Sequence, residues 1–191
     1  MTARDTARLF QSKRSRPGSL EYTALLSCYI DGAVNASDLG GGSSSYSALS
    51  RLARSGELSK DGDGLHGKYV LTQRGRFTAL TAILEVSFTS LCIMAEVYNM
   101  HKLQLKNGCR LKYSLLEMDR LLHGVRTELQ IRQAVWNLTQ AGFTLSVSDH
   151  LMALEPKTMD LLRGHNAVLS EMHEWLHRVP WNATIESLEG G

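Results

Sequence analysis

Residues 43–76 read SSSYSALSRLARSGELSKDGDGLHGKYVLTQRGR. Tyr46, Leu49, Leu52 and Ala53 recur at helical spacing, which predicts a helix over Ser43–Ser55. Gly56 stands where a glycine ends a helix. After Glu57-Leu58-Ser59 comes a turn-rich block, Lys60-Asp61-Gly62-Asp63-Gly64-Leu65-His66-Gly67, and then the β-branched and aromatic Lys68-Tyr69-Val70-Leu71-Thr72. That order predicts two strands joined by a long loop, a β-hairpin.

Upstream, Ser19 is a helix cap for Leu20 to Asp31, with Glu21 in the first turn where the helix dipole favours a carboxylate. Leu25, Leu26, Tyr29 and Ile30 form its predicted apolar face, and Gly32 ends it. A short helix near Ala36–Leu39 and a Gly40-Gly41-Gly42 turn follow. Three short helices and a hairpin are the order of a winged helix-turn-helix. The run Leu49-x-x-Leu52-x-x-x-Gly56-x-Leu58, a glycine-rich loop, then Gly67-x-Tyr69-x-Leu71-Thr72-x-x-Gly75-Arg76 resembles the recognition-helix-to-wing segment of MarR- and PadR-like transcriptional regulators. The resemblance covers residues 20–80 and implies DNA binding by the 43–55 helix.

Downstream, one long helix is predicted from Phe77 to about Leu103, with Thr78, Thr81, Glu85, Thr89, Cys92, Glu96 and Asn99 on a narrow polar stripe. So narrow a polar edge implies cover on most sides, as in a central packing helix or a dimer interface. The earlier order then recurs. Cys109–Tyr113 reads as a strand, Ser114 caps Leu115–His123, and Gly124 marks a turn. Thr127 caps a helix through Ala141 that Gly142 ends, and Phe143–Val147 and Leu151–Leu154 flank Ser148-Asp149-His150 as a second hairpin. Val135-x-x-Leu138-x-x-x-Gly142 repeats the Leu49-x-x-Leu52-x-x-x-Gly56 pattern. The expected fold is mainly α with small β-hairpin wings (α+β): two winged helix-turn-helix units in tandem, joined by a long central helix. Its parts are a basic arm over 1–18, a first unit over 19–76, a second over 77–156, and C-terminal helices and tail over 157–191. In that last part Lys157–Arg163 is helical after Pro156, and Asn166 caps a helix to Arg178 that Pro180 closes.

The 191 residues are 43% hydrophobic and 21% charged, which excludes wholesale disorder. A net charge of +2 excludes a polycation that coats nucleic acid by bulk charge. The charge is uneven, however: residues 1–76 hold 11 basic and 7 acidic side chains, and the remainder 10 and 12. Cys28, Cys92 and Cys109 have no C-x-x-C spacing and read as thiols in a reducing compartment. The first residues lack the apolar core of a secretory signal, and the most apolar stretch, Ala79 to Met100, carries Glu85 and Glu96. A cytoplasmic protein with no membrane association is expected.

A recognition helix offers polar side chains to base edges and phosphates. The outward positions of the 43–55 helix are Ser43, Ser44, Ser45, Ser47, Ser50, Arg51 and Arg54. The wing adds Lys60, His66 and Lys68, although Asp61 and Asp63 would repel a phosphate backbone. Arg14 and Arg16, with Arg4, Arg8 and Lys13, give the arm its charge. The corresponding second face holds Arg126, Gln130, Arg132, Gln133 and Asn137, with Glu128 opposing phosphate contact.

One motif points elsewhere. His173-Glu174-Trp175-Leu176-His177 fits H-E-x-x-H, whose histidines share a helix face and bind zinc, with the glutamate as general base. A zinc hydrolase needs a third protein ligand. Downstream only Glu186 and Glu189 could serve, and Pro180 and Ala183 stand where the metzincin extension has glycine and histidine. Packing of Met172, Trp175 and Leu176, with the histidines flanking a solvated edge, is the simpler expectation. No P-loop and no nucleophile elbow occurs. The sequence therefore reads as a DNA-binding transcriptional regulator, not an enzyme, expected to bind double-stranded DNA as a homodimer with no cofactor and no metal. The alternative is a tandem winged-helix protein-interaction module, a subunit of a larger complex such as the ScpB subunit of condensin. The zinc hydrolase comes third.

Overall fold

The computed structural model describes residues 17–62, 67–107, 113–122, 126–148 and 151–178. The chain is mainly helical with small antiparallel sheets, and it divides into two compact units on either side of the Glu85–Val86 bond.

The N-terminal unit begins with α1 (Leu20–Asp31), where the Ser19 hydroxyl accepts the Tyr22 N–H. A single 3-10 turn (Ser37–Leu39) leads into α2 (Gly42–Arg54). Gly40, Gly41 and Gly42 all have φ between 70° and 87°, left-handed backbone that a side chain would strain. This glycine run turns the chain from the 3-10 turn into α2. Strands β1 (Leu58–Asp61) and β2 (Lys68–Leu71) pair antiparallel, with Leu58 opposite Leu71 and Asp61 opposite Lys68. Val34 adds a third edge: its N–H donates to Tyr69 O at 2.9 Å and its carbonyl accepts from Tyr69 at 2.7 Å. Helix α3 (Gln73–Ile83) closes the unit. Ala24, Leu25, Cys28, Val34, Leu49, Leu52, Leu58 and Ala79 form the core. Burial pushes the Cys28 thiol up to about 11, with Asp31 and Asp38 adding to the shift. Ile30, assigned to the apolar face by periodicity, is exposed, and Cys28 takes the inward position.

The second unit runs α4 (Phe88–Asn107), β3 (Tyr113–Ser114), α5 (Leu115–Leu122), α6 (Glu128–Gln140), β4 (Thr144–Ser148), β5 (Leu151–Leu154), α7 (Pro156–Arg163) and α8 (Asn166–Arg178). Its sheet has the order β3-β5-β4, all antiparallel. Leu91, Ile93, Met94, Met118, Leu122, Ile131, Leu138, Leu169 and Met172 are buried. Asn166, expected as a cap, instead accepts the Lys102 ammonium from α4 on its side-chain oxygen. Cys109 lies outside the described residues.

The single helix predicted from Phe77 to Leu103 is two helices, α3 and α4. Glu85 adopts φ 54° at the break. Ser87 then starts α4: its hydroxyl accepts the Ser90 N–H at 3.0 Å, and its carbonyl accepts the Leu91 N–H at 2.9 Å. Hydrophobic periodicity carries across such a break, whereas the local cap decides where a helix begins. The predicted polar stripe is also inverted. Thr78, Thr81, Thr89, Cys92, Glu96 and Asn99 are all buried, and Glu85 at the break is exposed. In α4 this stripe carries the polar contacts of the interior. Among the described residues no single helix is long and apolar enough to cross a membrane.

Candidate functional site

Two groups of side chains merit attention, one in each unit. On α2, Ser43, Ser44, Ser47, Ser50, Arg51 and Arg54 are exposed. Ser45 is not. It is buried, and its hydroxyl donates to the carbonyls of Leu39 at 3.1 Å and Gly41 at 2.8 Å, so it fixes the start of α2 and does not face outward. Arg51 meets the Glu21 carboxylate of α1 at 2.5 Å, which offsets its charge. Arg54 bonds through Nε to Ser50 O at 3.3 Å and stays exposed. Lys60 and Lys68 lie exposed on the two strands. Arg14, Arg16 and His66 lie outside the described residues.

The matching face of α6 is less available than its sequence suggests. Gln130 closes a capping box with Thr127, accepting the Thr127 N–H at 3.1 Å. Arg132 is paired with Glu128 at 2.7 Å. Gln133 donates to Asn137 at 3.1 Å. Arg126 turns to α4 and donates to the Thr89 hydroxyl at 3.0 Å. The same helix exposes Leu129 (76%) and Trp136 (58%), seven residues apart and therefore on one face.

The second group sits between α4 and α8. Asn99, buried, donates to Ala95 O at 2.8 Å and to Leu169 O at 3.1 Å, and accepts the Ser170 hydroxyl at 3.2 Å. These bonds fix the register of α8 on α4. One turn earlier along α4 is Glu96, whose side chain is 3% exposed. His173 Nδ1 lies 2.7 Å from its Oε2, and His177 Nε2 lies 3.1 Å from Oε2 and 3.2 Å from Oε1. The two imidazoles stack edge to face, with centroids 4.6 Å apart. Burial alone would raise the Glu96 carboxyl. The hydrogen bond and charge of His173, joined by those of His177, outweigh it and hold the group below the ordinary carboxylate range. Met172, Trp175 and Leu176 pack inward as expected, and the histidines, with His177 still half exposed, converge on a buried anion. Glu174, between them, points outward and pairs with Arg178 at 2.8 Å.

The histidine pair was visible in the sequence through its spacing, but its acidic partner was not. Glu96 precedes His173 by 77 positions, whereas the H-E-x-x-H pattern places a third ligand downstream. The available signal was a lone carboxylate inside the apolar part of α4. Asn99→Ala removes the register bonds and leaves buried partners unsatisfied, so it should lower stability by about 1–3 kcal/mol in urea denaturation. An unchanged midpoint would show that Asn99 does not set the packing of α8.

Comparison with protein-family models, with curated proteins and with solved structures finds no match.

Proposed function

We propose that the chain is a DNA-binding protein of tandem winged-helix build, acting as a transcriptional regulator and as a homodimer. The build is supported twice. In each unit a helix, a short edge strand, two further helical segments and a hairpin follow in that order, and the edge strand pairs with the second hairpin strand: Val34 with Tyr69, Tyr113 with Met152. The second and longer of those helical segments ends the same way in both. Glu57 N–H bonds to Leu52 O at 2.9 Å, and Phe143 N–H bonds to Leu138 O at 2.9 Å.

The observation that carries the DNA reading is the outer face of α2. It presents serines and Arg54 with no acidic residue anywhere in the helix, in the half of the chain that is net basic. Fluorescence anisotropy of the full chain with a random duplex tests it. Affinity should fall steeply as salt rises. Arg54→Ala should flatten the log–log slope by about 0.9, one phosphate contact, and Arg51→Ala by less, because Glu21 already offsets that charge. Binding that ignores salt, or the same slope in Arg54→Ala, would overturn the assignment to this helix.

One observation favours a second reading for the other unit. Arg132, the one basic residue of α6, is paired with Glu128, and Leu129 and Trp136 are exposed, which suits a protein surface better than a phosphate backbone. On that reading the second unit holds a second copy or another subunit. Trp136→Ala should then break the association seen by light scattering and leave the salt slope unchanged.

A further inference from the structure

We propose that Glu96, His173 and His177 form a binding site for a divalent transition-metal ion of the zinc class, which would pin α8 to α4. The donor set is the first argument. Two neutral imidazoles and one carboxylate are ligands that zinc and its neighbours accept, and three protein ligands leave a position for water or an anion. The distances are the second. The three donor atoms lie within 4.8 Å of one another. Around a tetrahedral zinc with bonds near 2.1 Å, neighbouring donors stand about 3.4 Å apart. His177 Nε2 already lies 3.1–3.2 Å from the Glu96 oxygens. His173 Nδ1, at 2.7 Å, needs to retreat by only a fraction of an ångström.

The third argument is the fixed frame. Asn99 holds α8 in register, and the i, i+4 spacing of the histidines puts both rings on the face toward α4. Each imidazole presents a lone pair to the ion once the proton it holds toward Glu96 leaves that ring nitrogen, so zinc takes the place of the protons that now bridge the rings to the carboxylate. The site is reachable, since the side chain of His177 is 49% exposed. His173 also lines a cavity of about 170 Å³ with Asn99, Lys102 and Leu103, which has room for water or a small anion beside the ion. Glu174 faces away and pairs with Arg178, so the arrangement is a holding site and not a base poised over metal-bound water. The site lies wholly within the second unit and stands whether or not the chain binds DNA.

The test uses the full chain with any purification tag removed. Chelator-stripped protein is equilibrated with zinc chloride, freed of excess metal by gel filtration, and its zinc measured by mass spectrometry. Wild type should retain about one zinc per chain and melt at a higher temperature with zinc than without. His177→Ala, at a half-exposed position and with the His173 bond to Glu96 left in place, should weaken binding by about tenfold or more and abolish the thermal shift. His173→Ala should do the same, while Glu174→Ala should bind as wild type. Cobalt(II) should give a visible absorption band that His177→Ala removes. No retained zinc in the wild-type chain, or zinc affinity in the two histidine variants equal to that of wild type, would overturn the site.

Discussion

Gly75→Ala is expected to lower the stability of the N-terminal unit by about 3 kcal/mol. For a unit of this size that corresponds to a fall of about 12 °C or more in melting temperature. The reason is contact between backbones. The first turn of α3 presses on the chain between α2 and β1, and a Cβ on Gly75 would overlap the Glu57 carbonyl oxygen, with the carbonyl carbon at 2.8 Å and Leu71 Cδ2 at 2.9 Å. Neither side can yield cheaply, because Thr72 ties them together. Its hydroxyl donates to Gly56 O at 2.6 Å and accepts the Gly75 N–H at 3.0 Å. Gly164→Ala is the control. There a Cβ would meet nothing nearer than Leu161 O at 3.7 Å, and the backbone is ordinary helix, so its melting temperature should stay close to wild type. Equal melting of Gly75→Ala and wild type would show that the α3 junction is looser than its geometry.

The same junction explains why one part of the sequence was readable. Leu71-Thr72-x-x-Gly75 encodes a strand end and a helix cap, both local, and a glycine whose close approach is to Glu57, 18 positions earlier. The helices begun by Ser19 and Thr127 were legible for the same reason: each cap bonds to a backbone N–H three residues on. Periodicity was weaker wherever polar groups turn inward. Ser45 looks like a solvent-facing serine among five, but a bond to Leu39 six residues back buries it. The helix predicted from Phe77 to Leu103 failed because apolar residues surround the break on both sides, so only the Ser87 cap marks it.

The candidate sites divide along the same line. The α2 face could be read from helical spacing, since exposure on a surface helix follows the angle around its axis. Charge compensation could not. Glu21 and Arg51 lie on different helices, and nothing in either segment announces the pair. The histidines were visible as a spacing, but the carboxylate between them depends on how α8 packs across α4. The sequence resemblance speaks only to residues 20–80, so it could not have supplied that carboxylate.

Arg74→Met should destabilise the N-terminal unit by about 3 kcal/mol while leaving nucleic-acid binding by the folded protein unchanged. Arg74 counts among the basic residues of the first half, but its side chain is 9% exposed and faces Glu57, 8% exposed, at 3.5 Å. Glu57 also accepts the Ser55 hydroxyl at the end of α2. Removing the guanidinium strands a carboxylate inside the unit. Adding Glu57→Gln removes that stranded charge, so the double variant should recover at least about 1 kcal/mol relative to Arg74→Met. Equal instability in the single and double variants would mean that the guanidinium acts by packing rather than by charge. Arg54→Ala should behave in the opposite way, with an unchanged melting temperature and a flatter salt slope. Basic residues in this half thus do separate work: Arg74 holds the α3 junction, Arg51 is largely spoken for by Glu21, and Arg54 presents its charge to solvent. If Arg74→Met and Arg54→Ala flattened the salt slope alike, the slope would report the net charge of the first half instead of a contact made by the α2 face.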